Sequence, residues 1–225
     1  MGFSVQTAHR IGAEDFDAAR SIVRQAFTTV MTFSAVLAAA GFLISPHLPV
    51  WRGGDPSIAG NASDYFLMMA LFLPATYFGW LAGALLRATG DMKTPSYLGI
   101  LMCILNCFFN FLLIFPTSTY TFLGISLTVP GADLGIIGAA VGTGIAETIV
   151  GAIMLWMLVV RSPFLSLVGR SGSFIPQATV LRRAFSIASP VAAERILMCG
   201  AQILSTAIVA PLGIVSIAAH TLGIT

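Results

Sequence analysis

Charge is what this sequence has least of. Asp, Glu, Lys and Arg make up 9% of its 225 residues, against 57% hydrophobic residues and a mean hydropathy of +0.92. A soluble domain coats itself with roughly 25% charged residues, so a chain this poor in charge cannot turn its whole surface to water. Lipid is the common alternative. The charges present nearly cancel, 11 basic against 9 acidic, which excludes the basic footprint of a nucleic-acid-binding protein. Cysteine is scarce too. Cys103, Cys107 and Cys199 all lie inside apolar stretches and form neither a disulfide framework nor a zinc site. The signatures HExxH and GxSxG and the P-loop are missing, and the acids inside apolar runs are too dispersed for an evident acid–base pair. No enzyme and no cofactor are expected. No cleavable signal peptide is expected ahead of the first apolar run, as is ordinary for a bacterial inner-membrane protein.

What the sequence does have is long apolar runs. Residues 1–24 are the most charged stretch, and Ile11 to Arg20 reads as a turn followed by a capped helix, acids first and Arg20 and Arg24 later. An uncharged run from Ala26 to Val50 is long enough for one span. Trp51 to Pro56 reads as a polar turn, and a second span follows from about Tyr65 to Leu86, with Gly90 as its C-terminal cap. Thr94 and Pro95 suit an N-cap and first helical position for a third span ending near Phe115. Residues 116–133 read as an uncharged loop closing at Asp133, ahead of a fourth span from Gly135 to Val160. A fifth span runs from near Arg183 to Ala210. Pro211 to Gly213 is a turn, and the apolar run from Ile214 stops at Thr225. The expected fold is all-α, a polytopic transmembrane helix bundle. Its divisions are a cytoplasmic loop and interfacial helix at 1–24, four spans within 25–160, a cytoplasmic linker at 161–182, and one and a half helices at 183–225. Alternate loops carry Arg10, Arg20 and Arg24, then Arg87 and Lys93, then Arg161, Arg170, Arg182 and Arg183, while the opposite loops carry Arg52 alone. By the positive-inside rule, 1–24 and 161–182 are cytoplasmic.

Polar residues inside the spans are the candidates for function, because a charge at the centre of a membrane helix costs about 2.5–3.5 kcal/mol on insertion scales. Asn106 and Asn110 lie one turn apart on the third span, each with an amide oxygen suited to a sodium ion or to a protonatable partner. The competing reading is interhelical hydrogen bonding. Glu194 follows Pro190 in the fifth span, in expected apolar surroundings, where its carboxyl could exchange a proton or attract a cationic substrate. Arg195 is adjacent, but successive helical residues point about 100° apart, so the two need not pair. Glu147 lies midway along the fourth span and is as well explained by helix packing as by function. Pro74 and Pro190 should bend their helices, Pro190 by freeing the Ser186 carbonyl. Tyr77, Trp80, Phe108 and Phe109 could stack on aromatic cations or simply pack.

Several strings then resemble one family. Leu86 to Pro95 (LRATGDMKTP) is similar to the loop after the fourth helix of multidrug and toxic compound extrusion (MATE) transporters, and Arg10 to Asp15 to their loop after helix two. Leu105 to Phe115 resembles helix five and Gly138 to Thr143 the start of helix six. Ser189 to Glu194 and Ala218 to His220 resemble helices seven and eight. The strings occur in the family's order across nearly the whole chain.

The resemblance implies a two-lobed protein of twelve helices that exchanges sodium ions or protons for drugs and organic cations. On that basis this chain covers helices three to six, the interlobe linker, helix seven and part of eight, and its partners are the bilayer, a small organic cation and the remaining helices. In the family, positions matching Asn106, Asn110 and Thr143 help to build a cation site together with an Asp from helix one. Many relatives carry an acid where this sequence has Asn110, so two Asn and one Thr should bind a cation weakly alone. Two alternatives remain open: a lipid-linked saccharide flippase of the same superfamily, for whose basic cavity only Arg195 is available, and a truncated membrane protein without transport activity.

Overall fold

Inside a bilayer, backbone N–H and C=O groups must be bonded within the chain, which makes a helix the economical form for each apolar run. The computed structural model has that form. It describes residues 1–47, 56–122, 125–161, 174–209 and Gly223. The helices are α1 (Gly2–Gly12), α2 (Phe16–Ile44), α3 (Pro56–Ala88), α4 (Lys93–Ile114), α5 (Gly135–Trp156), which continues as a π-helical turn at Met157–Arg161, and α6 (Ala178–Val209). Five helical segments among the described residues are long and apolar enough to cross a membrane: Phe16–Ile44, Ser63–Ala88, Lys93–Ile114, Gly135–Val160 and Ala178–Thr206.

The capped start at residues 11–20 has a definite geometry. Glu14 takes a positive φ of 58°, and Asp15 caps α2 by accepting from the Ala18 N–H at 3.2 Å. Asp15 also pairs with Arg10 at 3.0 Å, and Asp17 with Arg20 at 3.2 Å. The helix beginning there does not stop at an interfacial segment. It continues unbroken through residue 25 to Ile44, so the expected interfacial helix and first span are one element. The helix α1 ahead of it, Gly2–Gly12, had no counterpart in the reading of the sequence.

Other boundaries move in the same direction, toward longer helices. α3 starts at Pro56 rather than near Tyr65, and α6 at Ala178 rather than near Arg183, because polar residues in the first turns are compatible with a helix end that reaches water. Gly90, at φ 88°, ends α3 as expected. The cap of α4 differs: the helix begins at Lys93, and Asp91 accepts from the Thr94 N–H at 3.0 Å, displacing Thr94 from the capping role. A carboxylate beside the first N–H groups suits the positive end of the helix dipole.

The largest correction falls on residues 116–133. In place of a loop, β1 (Pro116–Phe122) and β2 (Ile125–Ala132) pair as an antiparallel hairpin, with Tyr120 opposite Leu127 and an irregularity between Pro116 and Ser118. The run is rich in Thr, Tyr, Phe, Ile and Val, which favour a pleated strand. Residues 162–173 of the expected linker at 161–182, residues 51–55 of the expected turn at 51–56, the turn at 211–213, the run from Ile214 apart from Gly223, and the Ala218–His220 string lie outside the described residues, and residues 178–182 of that linker are the first turn of α6.

The chain divides into two compact units, Phe3–Gln177 and Met1–Gly2 with Ala178–Thr225. In the larger, Ala19, Val23 and Ala26 of α2 bury themselves against Leu81, Ala82, Leu85 and Leu86 of α3, closed by Leu158. Small side chains on one helix meeting larger ones on the next let the two axes approach, the usual packing of membrane helices. Large apolar side chains such as Phe33, Val36, Trp80, Ile104, Phe108 and Trp156 point outward. In the smaller unit α6 carries its apolar residues exposed along its length.

Candidate functional site

α5 is the element around which the polar residues gather, and its glycines are the reason. Gly138 and Gly142, one turn apart, face α4. A Cβ on Gly138 would strike the Leu113 carbonyl, and one on Gly142 the side-chain oxygen of Asn110. Gly144 and Gly151, two turns apart, face α3. A Cβ on Gly144 would enter the Phe72 ring, and one on Gly151 would stand 3.1 Å from the Gly79 Cα. With no side chain in the way, backbones come close enough for short polar side chains to bond across helices.

On the α4 side, three of the expected site residues come together. Asn110 Nδ2 donates to Asn106 Oδ1 at 2.8 Å, and Asn106 Nδ2 donates to Thr143 Oγ1 at 3.1 Å. The chain of bonds runs one way, and its head is bare: Asn110 Oδ1 is buried with no hydrogen-bond partner among the described residues. Leaving a buried acceptor unpaired costs about 1–3 kcal/mol, so this oxygen is ready for a donor or a cation. The donor set is made of neutral oxygens, two amide and one hydroxyl, the kind a hard cation takes. It fits a sodium ion in kind, and brings no negative charge of its own.

On the α3 side, Thr76 Oγ1 and Glu147 Oε2 stand 2.5 Å apart, and the same hydroxyl lies 3.1 Å from the Phe72 carbonyl. Glu147 is half-buried and bound into the interface. Thr148 bonds back to the Gly144 carbonyl at 2.6 Å. Thr76 escaped the reading of the sequence. Its one signal is that of a lone hydroxyl in the middle of an apolar run, and such residues usually bond within their own helix.

The remaining candidates sit apart from this cluster. Pro74 lies inside α3, which continues through it, and Tyr77 is half-buried while Trp80 is exposed. Phe108 is exposed and meets Phe109 edge-on with centroids 5.6 Å apart. Pro190 lies inside α6, and the Ser186 carbonyl that it frees accepts from Ser189 Oγ at 3.2 Å. Glu194 and Arg195 are both exposed, so the apolar burial expected for Glu194 is not supplied by its own unit. No ion pair joins these two among the described residues, whose pairs are Arg10–Asp15 and Arg20–Asp17. No group of three His, Cys, Asp or Glu side chains placed to hold a metal ion occurs among the described residues.

A second polar contact was not anticipated. Gln25, buried in α2, accepts from the Gln177 N–H at 2.9 Å through its Oε1, and the neighbouring Arg24 guanidinium lies over the Phe174 ring at 5.1 Å. The segment ahead of α6 is thereby tied to the start of α2.

Comparison with known proteins bears on the fold and the family. A family model described as MatE matches residues 1–112. The chain is 23% identical over 234 residues to the probable multidrug resistance protein NorM of Thermotoga maritima, a match covering 100% of this chain and 45% of that protein. It superposes on the Vibrio cholerae MATE transporter VcmN in its bent form with a TM-score of 0.76 at 21% identity, covering 99% of this chain and 46% of the other. A multidrug resistance MATE family transporter of the MOP superfamily in an outward-facing conformation gives a TM-score of 0.76 at 20% identity, covering 92% and 43%. The chain therefore shares its fold with these structures and spans about half the length of the relatives it matches.

Proposed function

From the premise that this chain is a multi-pass membrane protein belonging to the MATE family, we propose that it forms part of a cation-coupled antiporter exporting drugs or organic cations by alternating access. The observation that carries this reading is the bare Asn110 Oδ1 at the head of the Asn106–Thr143 chain. An acceptor held ready by its neighbours needs little rearrangement to receive an ion, and binding there draws α4 and α5 together. Sodium ions or protons are the coupling species in this reading, and Glu194 on α6 is a second position where a carboxyl would take a proton or a cationic substrate.

Alternating access asks an ion to bias one arrangement of helices over another by as much as its affinities for the two differ. The α4–α5 seam suits that demand, because the three side chains that would meet the ion come from both helices. In vesicles carrying the natural gene product, Asn110→Leu removes the acceptor while keeping an apolar side chain of similar size. Efflux of a fluorescent organic cation then loses its dependence on the sodium or proton gradient, at unchanged protein abundance. Gradient dependence equal to that of the wild type would refute the ion site. Movement of a lipid-linked saccharide in place of the organic cation would refute the choice of substrate.

A further inference from the structure

The stretch between Arg161 and Ala178 has the length to reach roughly 50 Å when fully extended. A helix on a tether of that reach has many starting points open to it. Here the last residues of the tether are held. Gln177, directly ahead of α6, gives its backbone N–H to Gln25 Oε1 at 2.9 Å. Three residues earlier, the Phe174 ring lies over the Arg24 guanidinium, 5.1 Å from its centroid. Pro176 fixes its own φ and restricts Ile175, which stiffens the piece between the two contacts.

Gln25 is suited to the anchoring role by its burial. It is 1% exposed, so both ends of its amide need partners. The donor end is satisfied inside α2, where Nε2 donates to Ser21 Oγ at 3.2 Å. The acceptor end reaches outside the helix. A backbone N–H can only donate, so the amide has one orientation, with Oε1 toward Gln177. Taking Gln177 away would strand a buried acceptor or admit water to it. Arg24 is 5% exposed and the Phe174 ring 58%, so the ring serves as a lid on a buried cation and not as core. Two contacts at neighbouring positions of α2 fix the direction of the segment as well as its end.

We infer that Phe174–Gln177 is a strap locked to α2 by Gln25, so that α6 is fed from an anchored residue and not from the end of a free tether. No residue separates the anchored amide from Ala178, the first of α6. The reach of the preceding stretch is therefore not available as slack, and a shift in the first turns of α2 is passed to the start of α6 with nothing to absorb it. The inference uses no part of the Asn106–Asn110–Thr143 cluster and holds whether or not that cluster binds an ion.

Hydrogen exchange of the natural gene product in lipid nanodiscs tests the anchor. The Gln177 amide should be protected in the wild type and exchange about tenfold faster in Gln25→Met, which keeps the length of the side chain and removes one buried hydrogen bond. Ser21→Ala, which touches only the donor end, should leave Gln177 protected. A nitroxide on Thr179→Cys, with Cys103, Cys107 and Cys199 replaced by Ser, reads the start of α6, and its spectrum should sharpen in Gln25→Met. Equal Gln177 exchange in the wild type and Gln25→Met overturns the inference, and so does a label whose mobility ignores the substitution. Should Gln25→Met fail to fold, Phe174→Ala on the exposed strap carries the same comparison, with a smaller acceleration expected and an unchanged rate overturning the strap. A Gln177 amide that exchanges in the wild type as fast as in an unfolded chain overturns it without any variant.

Discussion

The two faces of α5 use the same device for different ends. Each places glycines where a neighbouring helix must come close, and each puts a polar contact in the gap. Toward α4 the contact is made of two neutral amides and a hydroxyl and ends in an acceptor with no donor among the described residues. Toward α3 it is made of a hydroxyl and a carboxyl, with Thr76 Oγ1 donating to Glu147 Oε2. One face is short of a cation or donor from outside, and the other is closed by a hydroxyl from the neighbouring helix. Close helix packing is therefore a condition for both contacts, while the side-chain chemistry decides whether an external partner is needed.

The largest expected effects come from filling the gaps. Gly138→Ala puts a methyl against the Leu113 carbonyl, which is backbone and cannot turn aside, whereas Gly144→Ala meets the Phe72 ring, which can. Overpacking of this kind costs about 1–3 kcal/mol, so Gly138→Ala should fall at the upper end and Gly144→Ala at the lower. Gly99→Ala in α4 meets nothing and serves as the control, expected to be neutral or slightly stabilising. Thermal unfolding in detergent ranks the three. Equal losses for Gly138 and Gly144 would show that the α3 interface is as unyielding as the α4 interface.

Gly142→Ala sharpens the contrast from the functional side. The added Cβ would collide with Asn110 Oδ1 and stand 3.1 Å from the Asn110 backbone nitrogen. The Asn110 amide must then swing away from Asn106. Loss of gradient-dependent efflux should exceed what the smaller loss of unfolding temperature accounts for. A variant that melts early yet keeps full ion dependence would separate the glycine from the site.

Much of this was legible in the sequence, and the limits are physical. Hydropathy located the spans because a bilayer demands some twenty apolar residues in a row, and the pairing of Asn106 with Asn110 followed from helical periodicity. Thr143 came only with the family resemblance, since no periodicity links residues on different helices. The hairpin at 116–132 was hidden because a short alternating run between two spans looks like any polar connection. Helix ends were drawn too short, at Pro56 and Ala178, because hydropathy reports the apolar middle of a span and says little of turns that reach water. Thr76 and Gln25 could not be found at all: each matters for what it meets across a gap, 71 and 152 residues away along the chain.

The smallest effect is the one that separates the two faces most cleanly. Hydrogen bonds between membrane helices average about 0.6 kcal/mol in double-mutant cycles. A cycle of Asn106→Leu with Thr143→Val should return a coupling near that size at every pH, because no member of the pair titrates. A cycle of Thr76→Val with Glu147→Leu should return a coupling of its own that added sodium leaves unchanged, because the hydroxyl and the carboxyl already meet each other. If sodium changed the α3-side coupling as much as the α4-side one, the contrast between the two faces would disappear.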